Sequence, residues 1–262
     1  MEQTASYFRD KIIVLTGANG GLGSEMALQL IASGARLILS DVAASFDTQH
    51  EQILAYIQSD LLKKNGCREF VDQIHAICPS VDILINNAGI GSLGDLVDTP
   101  DEKWEATIEL NLIVPLRLTK MFLPQMIKKR SGHIVNISSL AAHLAIPQVT
   151  PYIASKFALR GFGAALQAEV AEYNISISTV YPFFTPTPIL ESARYGQVIQ
   201  RPTMPTYLLD NRQSVIKNLL EGVASKYPHI FPSWRAKTTA EAVRFMPGAV
   251  DFITKNIWRW IE

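Results

Sequence analysis

Short apolar runs alternate with longer stretches of helical periodicity along most of this chain. The runs are Ile12–Leu15, Arg36–Ser40, Leu54–Gln58, Ile83–Asn86, His133–Ile137 and Ser176–Val180. Most are apolar at consecutive rather than alternate positions, the pattern of strands covered by helices on both faces. Helical spacing is present in Leu22–Ser33, Cys67–Ala76, Asp101–Lys129 and Tyr152–Tyr173. This alternation predicts an α/β protein built on a doubly wound parallel sheet. The stretch from Asp41 to Leu54 is too short and polar for a long crossover helix, and a single turn or loop is expected there.

The pattern changes after Tyr181. Half of the 14 prolines lie between Pro182 and Pro232, among many aromatic residues. Residues 183–232 are therefore expected to form a variable, substrate-covering loop region above the sheet, rather than another strand–helix unit. A last helix is expected from Ala240 or later to Ile261, broken near Pro247-Gly248. No linker divides the chain, so residues 1–262 are expected to form one domain. With 262 residues, 48% of them hydrophobic, the chain can bury one large core.

Lys+Arg and Asp+Glu are 24 each, giving no net charge and no indication of a nucleic-acid partner. The basic run Lys128-Lys129-Arg130 suits a helix C-terminus. Cys67 and Cys78 fall on one predicted helix, about 16 Å apart and too far for a disulfide. A reducing, cytoplasmic setting fits. Residues Met1–Asp10 lack the basic-then-apolar pattern of an export signal, and no apolar run reaches the length of a membrane span. The run Ala249–Ile261 is apolar over much of its surface. Packing on the core or a partner is expected there, with peripheral membrane attachment as the alternative.

Two groups of residues carry chemistry. Thr16-Gly-Ala-Asn-Gly-Gly-Leu-Gly23 follows the first strand and opens the first helix. Glycines there let main-chain amides approach a pyrophosphate at the positive end of the helix. A plain glycine-rich turn is the other reading of such a string. Asp41 ends the second strand, where a carboxylate accepts hydrogen bonds from ribose hydroxyls and repels a 2′-phosphate. No Lys or Arg follows at Val42 to Ser45, so NAD is favoured over NADP. Asp41 could otherwise cap a turn. Asp60, followed by Leu61, could meet the adenine amino group or cap the next helix. Asn86-Asn87-Ala88-Gly89 can line the adenosine side of a dinucleotide, or be an ordinary turn.

The second group is Tyr152 and Lys156 with Ser139 upstream. Four residues apart on a helix, the phenol and ammonium share one face. A free phenol, pKa about 10, is too weak an acid to serve as a base near neutrality. A neighbouring cation favours phenolate and lowers that value. Ser139 would end a strand facing this helix, with Ser138 directed to the opposite face. A Tyr–Lys pair of this spacing is otherwise a common surface feature.

Together these motifs resemble the short-chain dehydrogenase/reductase family from Lys11 to about Thr187. The glycine string reads T-G-x-x-x-G-x-G. Asn-Asn-Ala-Gly at 86–89, Asn111, Ile-Val-Asn-Ile-Ser-Ser at 134–139 and Tyr-x-x-x-Lys at 152–156 follow in the family's order. The resemblance implies a Rossmann-like fold and hydride transfer between a nicotinamide coenzyme and an alcohol or ketone. It makes Tyr152 the general acid/base, and Ser139 the group orienting the substrate oxygen. Lys156 lowers the tyrosine pKa and holds the nicotinamide ribose. Asn111 keeps a helix locally open and holds a water of the proton relay, or is merely a polar residue tolerated in a buried helix. Gly17, Asn19, Gly20, Gly21, Leu22, Gly23, Asp41, Asp60, Leu61, Asn87, Ala88, Gly89, Pro182 and Thr187 become coenzyme contacts together with Tyr152 and Lys156. No metal is implied. One departure stands out: Phe183 replaces the glycine that the family carries after Pro182, which adds bulk near the nicotinamide ring.

Phe183, Phe184, Ile189, Leu190, Tyr195, Met204, Tyr207 and Leu208 are expected to wall the substrate site. Ala142, Leu144, Ala145 and Ile146 would line its approach, and His143 faces solvent or joins the proton path. An apolar alcohol or ketone suits such walls. The resemblance also implies a homodimer or homotetramer through helices Asp101–Lys129 and Tyr152–Tyr173, the second rich in Ala and Gly. Two other functions use the same fold: a non-redox epimerase, lyase or dehydratase, and a catalytically silent NAD-binding regulator.

Overall fold

Strand β1 (Ile12–Thr16) shows why the apolar runs are continuous. Ile13 and Leu15 pack into one layer of helices while Val14 packs into the other, so both faces exclude water. The computed structural model describes residues 2–187, 189, 193–196 and 206–257. The remaining main strands are β2 (Arg36–Asp41), β3 (Ile53–Gln58), β4 (Ile83–Asn86), β6 (Gly132–Ile137), β7 (Ile175–Val180) and β9 (His229–Ile230). All pair in parallel, in the order β3-β2-β1-β4-β6-β7-β9.

One face carries α1 (Glu2–Phe8), α2 (Gly21–Ala32) and α7 (Arg212–Ala224). There Phe8, Met26, Leu30 and Leu219 close on Ile13, Leu37 and Ile85. The other carries α3 (Gly66–Ile77), α5 (Val114–Lys129) and α6 (Thr150–Glu169). There Phe70, Leu118, Phe122 and Leu166 close on Val14, Ile38 and Ile177. The chain winds outward from β1 to β3, then returns to β4 on the other side of β1. That reversal opens a crevice at the C-terminal ends of β1 and β4.

Several expectations need correction. The predicted helix Asp101–Lys129 is three pieces: α4 (Asp101–Ile108), a π-helical turn Glu109–Ile113, and α5. Helix Tyr152–Tyr173 starts earlier, at Thr150 with Pro151 in its first turn, and ends as a 3₁₀ turn over Ala171–Tyr173. The region after Tyr181 does contain another helix–strand unit, α7 and β9. Val215, Ile216, Leu219, Leu220 and Val223 give α7 a buried stripe, and Asn211 Oδ1 accepts from Ser214 N at 3.0 Å as its cap. The C-terminal part is two helices, α8 (Trp234–Phe245), capped by Ser233, and α9 (Pro247–Ile257). The break near Pro247 is found, but α8 begins before Ala240, and residues 258–261 lie outside the described residues.

The β2–β3 crossover is a loop, as the sequence implies. A two-strand parallel ribbon, β5 (Leu93–Gly94) with β8 (Arg194–Tyr195), ties the loop after β4 to the segment after β7. No described helix is long and apolar enough to cross a membrane.

If α7 is part of the core, Leu219→Ala will destabilise the fold by about 2–5 kcal/mol in urea unfolding. A loss below roughly 0.5 kcal/mol, the level of a surface substitution, would remove α7 from the core.

Candidate active site

The crevice is held open in a fixed shape by Thr16 and Asn87. Thr16 Oγ1 accepts from Asn87 N at 3.1 Å and Ala88 N at 3.0 Å. Asn87 Nδ2 donates back to Thr16 O and Gly17 O, each at 2.9 Å. Gly17 sits at φ +67, and a Cβ there would lie 2.8 Å from Ala88 Cα. A side chain is therefore excluded both by conformation and by the neighbouring strand. Gly20 precedes α2 without a side-chain cap, leaving the first-turn amides of Gly21, Leu22 and Gly23 directed along the crevice. Thr187 lies over this helix start, its Cγ2 only 2.6 Å from where a Gly21 Cβ would stand. Side chains at Gly17, Gly21 and Gly23 would collide with Ala88, Thr187 and the Gly17 carbonyl, so only bare main chain fits at these positions, as a loop presenting its amides to a pyrophosphate requires.

Asp41 closes the far end of β2. Its Oδ2 accepts from Asn19 N at 2.9 Å and its Oδ1 from Ala43 N at 3.3 Å. The carboxylate is thereby aimed beside the glycine loop. Asp60 Oδ1 accepts from Leu62 N at 3.1 Å, so its carboxylate closes the turn before α3. The Leu61 side chain is buried in the core, leaving its main chain for any ligand contact.

Three elements bring the polar residues together. Ser139 leaves β6 in extended conformation and its Oγ accepts from Ala141 N at 3.1 Å. Its hydroxyl is also near enough to the Tyr152 phenol to favour the phenolate. Lys156 Nζ lies 5.4 Å from the Tyr152 ring centroid and donates to Ile137 O at 3.0 Å. Ser138 Oγ turns to the helix backbone, donating to Lys156 O at 3.1 Å, and so clamps α6 onto β6.

Asn111 occupies the π turn. Its Oδ1 accepts from Ile90 N at 2.9 Å, and its Nδ2 donates to Ile90 O at 2.8 Å and to Ser155 Oγ at 3.2 Å. A π turn widens the helix and frees the local ladder, which lets one side chain hold both main-chain groups of the facing loop. Asn111 and Lys156 both border Gly89.

The electrostatics depart from the sequence-based expectation in one respect. Burial raises the Tyr152 pKa above its ordinary value, and the hydrogen bond from Ser139 opposes that only partly. Burial also lowers Lys156 to about 8. The enclosure that brings the two groups together penalises both charged forms, phenolate and ammonium.

Other expectations are also revised. His143 is not solvent-facing. It packs edge-on to Tyr181, ring centroids 4.7 Å apart, and near Phe231 at 5.5 Å. Burial lowers its pKa to about 4, so it is neutral at pH 7. Ala142 is fully buried and lines no approach, and Tyr207 is exposed. Pro182 is buried, with its carbonyl accepting from Leu140 N at 3.0 Å. Phe183 is half-buried and meets Phe184 edge-on at 5.2 Å. Leu190, Met204 and the Leu208 side chain lie outside the described residues. Sequence reasoning overlooked Thr16 as the strand clamp, along with Ser155 and Tyr56. Thr16 opens the glycine string, but its hydroxyl acts across strands that only the topology brings together.

The short chain dehydrogenase family model matches residues 11–197. This chain belongs to that family. Among curated relatives, the chain is 35% identical over 195 residues to Dehydrogenase/reductase SDR family member 7B of Bos taurus, covering 70% of this chain and 60% of that one. It is 34% identical over 193 residues to the NAD-dependent glycerol dehydrogenase of Listeria innocua, covering 72% of this chain and 76% of that one. In fold it is similar to a short-chain dehydrogenase from Streptomyces avermitilis, TM-score 0.75 at 25% identity, covering 96% of each chain. A Burkholderia phymatum family member in complex with NAD gives TM-score 0.75 at 22% identity, covering 91% of this chain and 94% of that one.

Gly17→Ala is expected to weaken reduced-coenzyme binding by roughly 1–3 kcal/mol through overpacking against Ala88. Fluorescence titration reads this, and unchanged affinity would mean that the coenzyme does not use this cradle.

Proposed function

We propose that this protein is an NAD-dependent dehydrogenase/reductase that interconverts an apolar alcohol and its ketone or aldehyde, with Tyr152 as acid/base. The observation that carries this reading is the meeting of the Tyr152 phenol, the Ser139 hydroxyl and the buried Lys156 at the mouth of the crevice.

Bound NAD supplies the hydride acceptor, or NADH the donor. The chain's own residues do the rest. Gly20, Gly21, Leu22 and Gly23 present amides to the pyrophosphate, and Asp41 accepts from the adenosine ribose. Asn87, Ala88 and Gly89 line the adenosine side, with Asn19, Asp60 and Leu61 at its edge. Thr187 and Pro182 lie on the nicotinamide side. Ser139 Oγ accepts from Ala141 N, and its one proton turns from the Tyr152 phenol to the substrate oxygen when substrate binds. In reduction Tyr152 Oη gives its proton to that oxygen; in oxidation it takes the alcohol proton. Each such contribution is worth orders of magnitude in rate. Lys156 would hold the nicotinamide ribose and, with its pKa lowered to about 8, stays mostly protonated near neutrality. Asn111 fixes the loop at Ile90 and so the helix carrying Tyr152.

Absence of a basic residue after Asp41 supports NAD over NADP. Phe183, Phe184 and Tyr195 support an apolar substrate wall within residues 183–232, a segment of one domain. The exposed face of α6, with Ala154, Ala158, Gly161, Ala165 and a Phe157 left 41% exposed, supports a homodimer or homotetramer. Free thiols at Cys67 and Cys78 support a cytoplasmic location.

Tyr152→Phe is expected to lose about 10²–10⁴ in turnover while still binding NADH, followed by nicotinamide absorbance over a panel of alcohols and ketones. Near-normal turnover would sink the assignment. Because the phenol pKa is raised, it holds its proton at neutral pH. Alcohol oxidation should therefore quicken as pH rises toward that pKa, and carbonyl reduction should fade beyond it. Oxidation rates flat from neutral to alkaline pH would contradict a tyrosine base.

A further inference from the structure

The crossover between β2 and β3 lacks a helix, and something else must hold the loop that carries Asp41. Under this loop lies an open hollow of about 280 Å³, lined by Ser45, Phe46, Thr48, His50, Ile53 and Tyr56 among others. Phe46, Ile53 and Tyr56 pack against the core, and polar contacts fix the residues next to the carboxylate.

Those contacts converge on two side chains of the edge strand β3 and one of the glycine loop. Tyr56 Oη donates to Ala43 O at 2.6 Å and accepts from Asn19 Nδ2 at 3.0 Å. Asn19 Nδ2 also donates to Ser45 O at 2.9 Å, and Asn19 N donates to Asp41 Oδ2 at 2.9 Å. Gln58 Nε2 donates to Val42 O at 3.0 Å. The carbonyls of Val42, Ala43 and Ser45 are thus each held by a side chain, and Tyr56 joins the glycine loop to the Asp41 loop through a single oxygen. Asp41 also acts electrostatically on the Tyr56 hydroxyl, so the two groups are close enough to sense each other.

We propose that Tyr56 is a positioning residue for coenzyme discrimination, holding the Asp41 carboxylate at the adenosine ribose through Ala43 and Asn19. The proposal rests on the NAD reading above. A carboxylate discriminates between ribose hydroxyls and a 2′-phosphate only while it is kept at the ribose. Once the loop can swing into the hollow beneath it, hydroxyl recognition and phosphate repulsion weaken together.

The test is a double-mutant cycle of Tyr56→Phe and Asp41→Ala, titrating NADH and NADPH separately by fluorescence and recording melting temperatures. The preference for NADH over NADPH is expected to fall about three- to tenfold in Tyr56→Phe, the loss of one hydrogen-bond linkage. In the Asp41→Ala background the same substitution should leave the preference where it was, because the group it positions is gone. The proposal is overturned if Tyr56→Phe weakens both coenzymes by equal factors, as a general loosening would, or leaves both unchanged. It is equally overturned if the preference falls to the same extent in both backgrounds. Wild-type protein preferring NADPH would refute the NAD reading alone, since coupling between positions 56 and 41 is still read from the four proteins. Should Tyr56→Phe lose its melting transition, Gln58→Leu takes its place in the cycle, and the same changes in preference support or overturn the positioning role.

Discussion

The reciprocal clamp between Thr16 and Asn87 is the contact on which the site depends. Where the chain reverses direction, β1 and β4 would be free to splay at their C-terminal ends. One hydroxyl accepting two amides, and one carboxamide donating to two carbonyls, closes that gap without any bulky side chain. The glycine loop is then pressed so close to Ala88 that only glycine fits at position 17. Deeper in the sheet, Asn86 Nδ2 donates to Asn136 Oδ1 at 2.9 Å, carrying the tie from β4 to β6. The end of β6 delivers Ser139. Polar contacts therefore tie β1 to β4 and β4 to β6, from the glycine loop toward the strand that leads to Ser139.

Much of this was legible in the sequence because strands buried on both faces need apolar residues at successive positions. The six strand runs were readable for that reason, and the tyrosine–lysine spacing was sufficient to place both groups on one helical face. The π turn was not readable, because residues 109–113 keep helical composition and the widening depends on Asn111 finding Ile90 across the crevice. Helix α7 carries a plain apolar stripe, but it sits among prolines that dominate the local composition. Helix α1 is short, and its one deeply buried anchor, Phe8, finds its neighbours far along the chain.

The tyrosine environment teaches a related lesson. Spacing reports which groups are near each other; it does not report how much water remains around them. Burial raises the phenol pKa and lowers that of the ammonium, so charge separation within the pair is set by enclosure as much as by proximity. His143 shows the same limit. Its place in the chain pointed to solvent or the proton path, whereas the fold turns it against Tyr181 and Phe231.

The small ribbon of Leu93–Gly94 with Arg194–Tyr195 has a wider consequence. It fastens the segment after β7 to the stretch that runs on from Asn87, Ala88 and Gly89, and Gly94 N donates in turn to Gln148 O at 2.9 Å, just before the helix bearing the phenol. Through the ribbon, the stretch following β4 and the segment following β7 share one pair of main-chain strands, so a change of length in either is transmitted to the other.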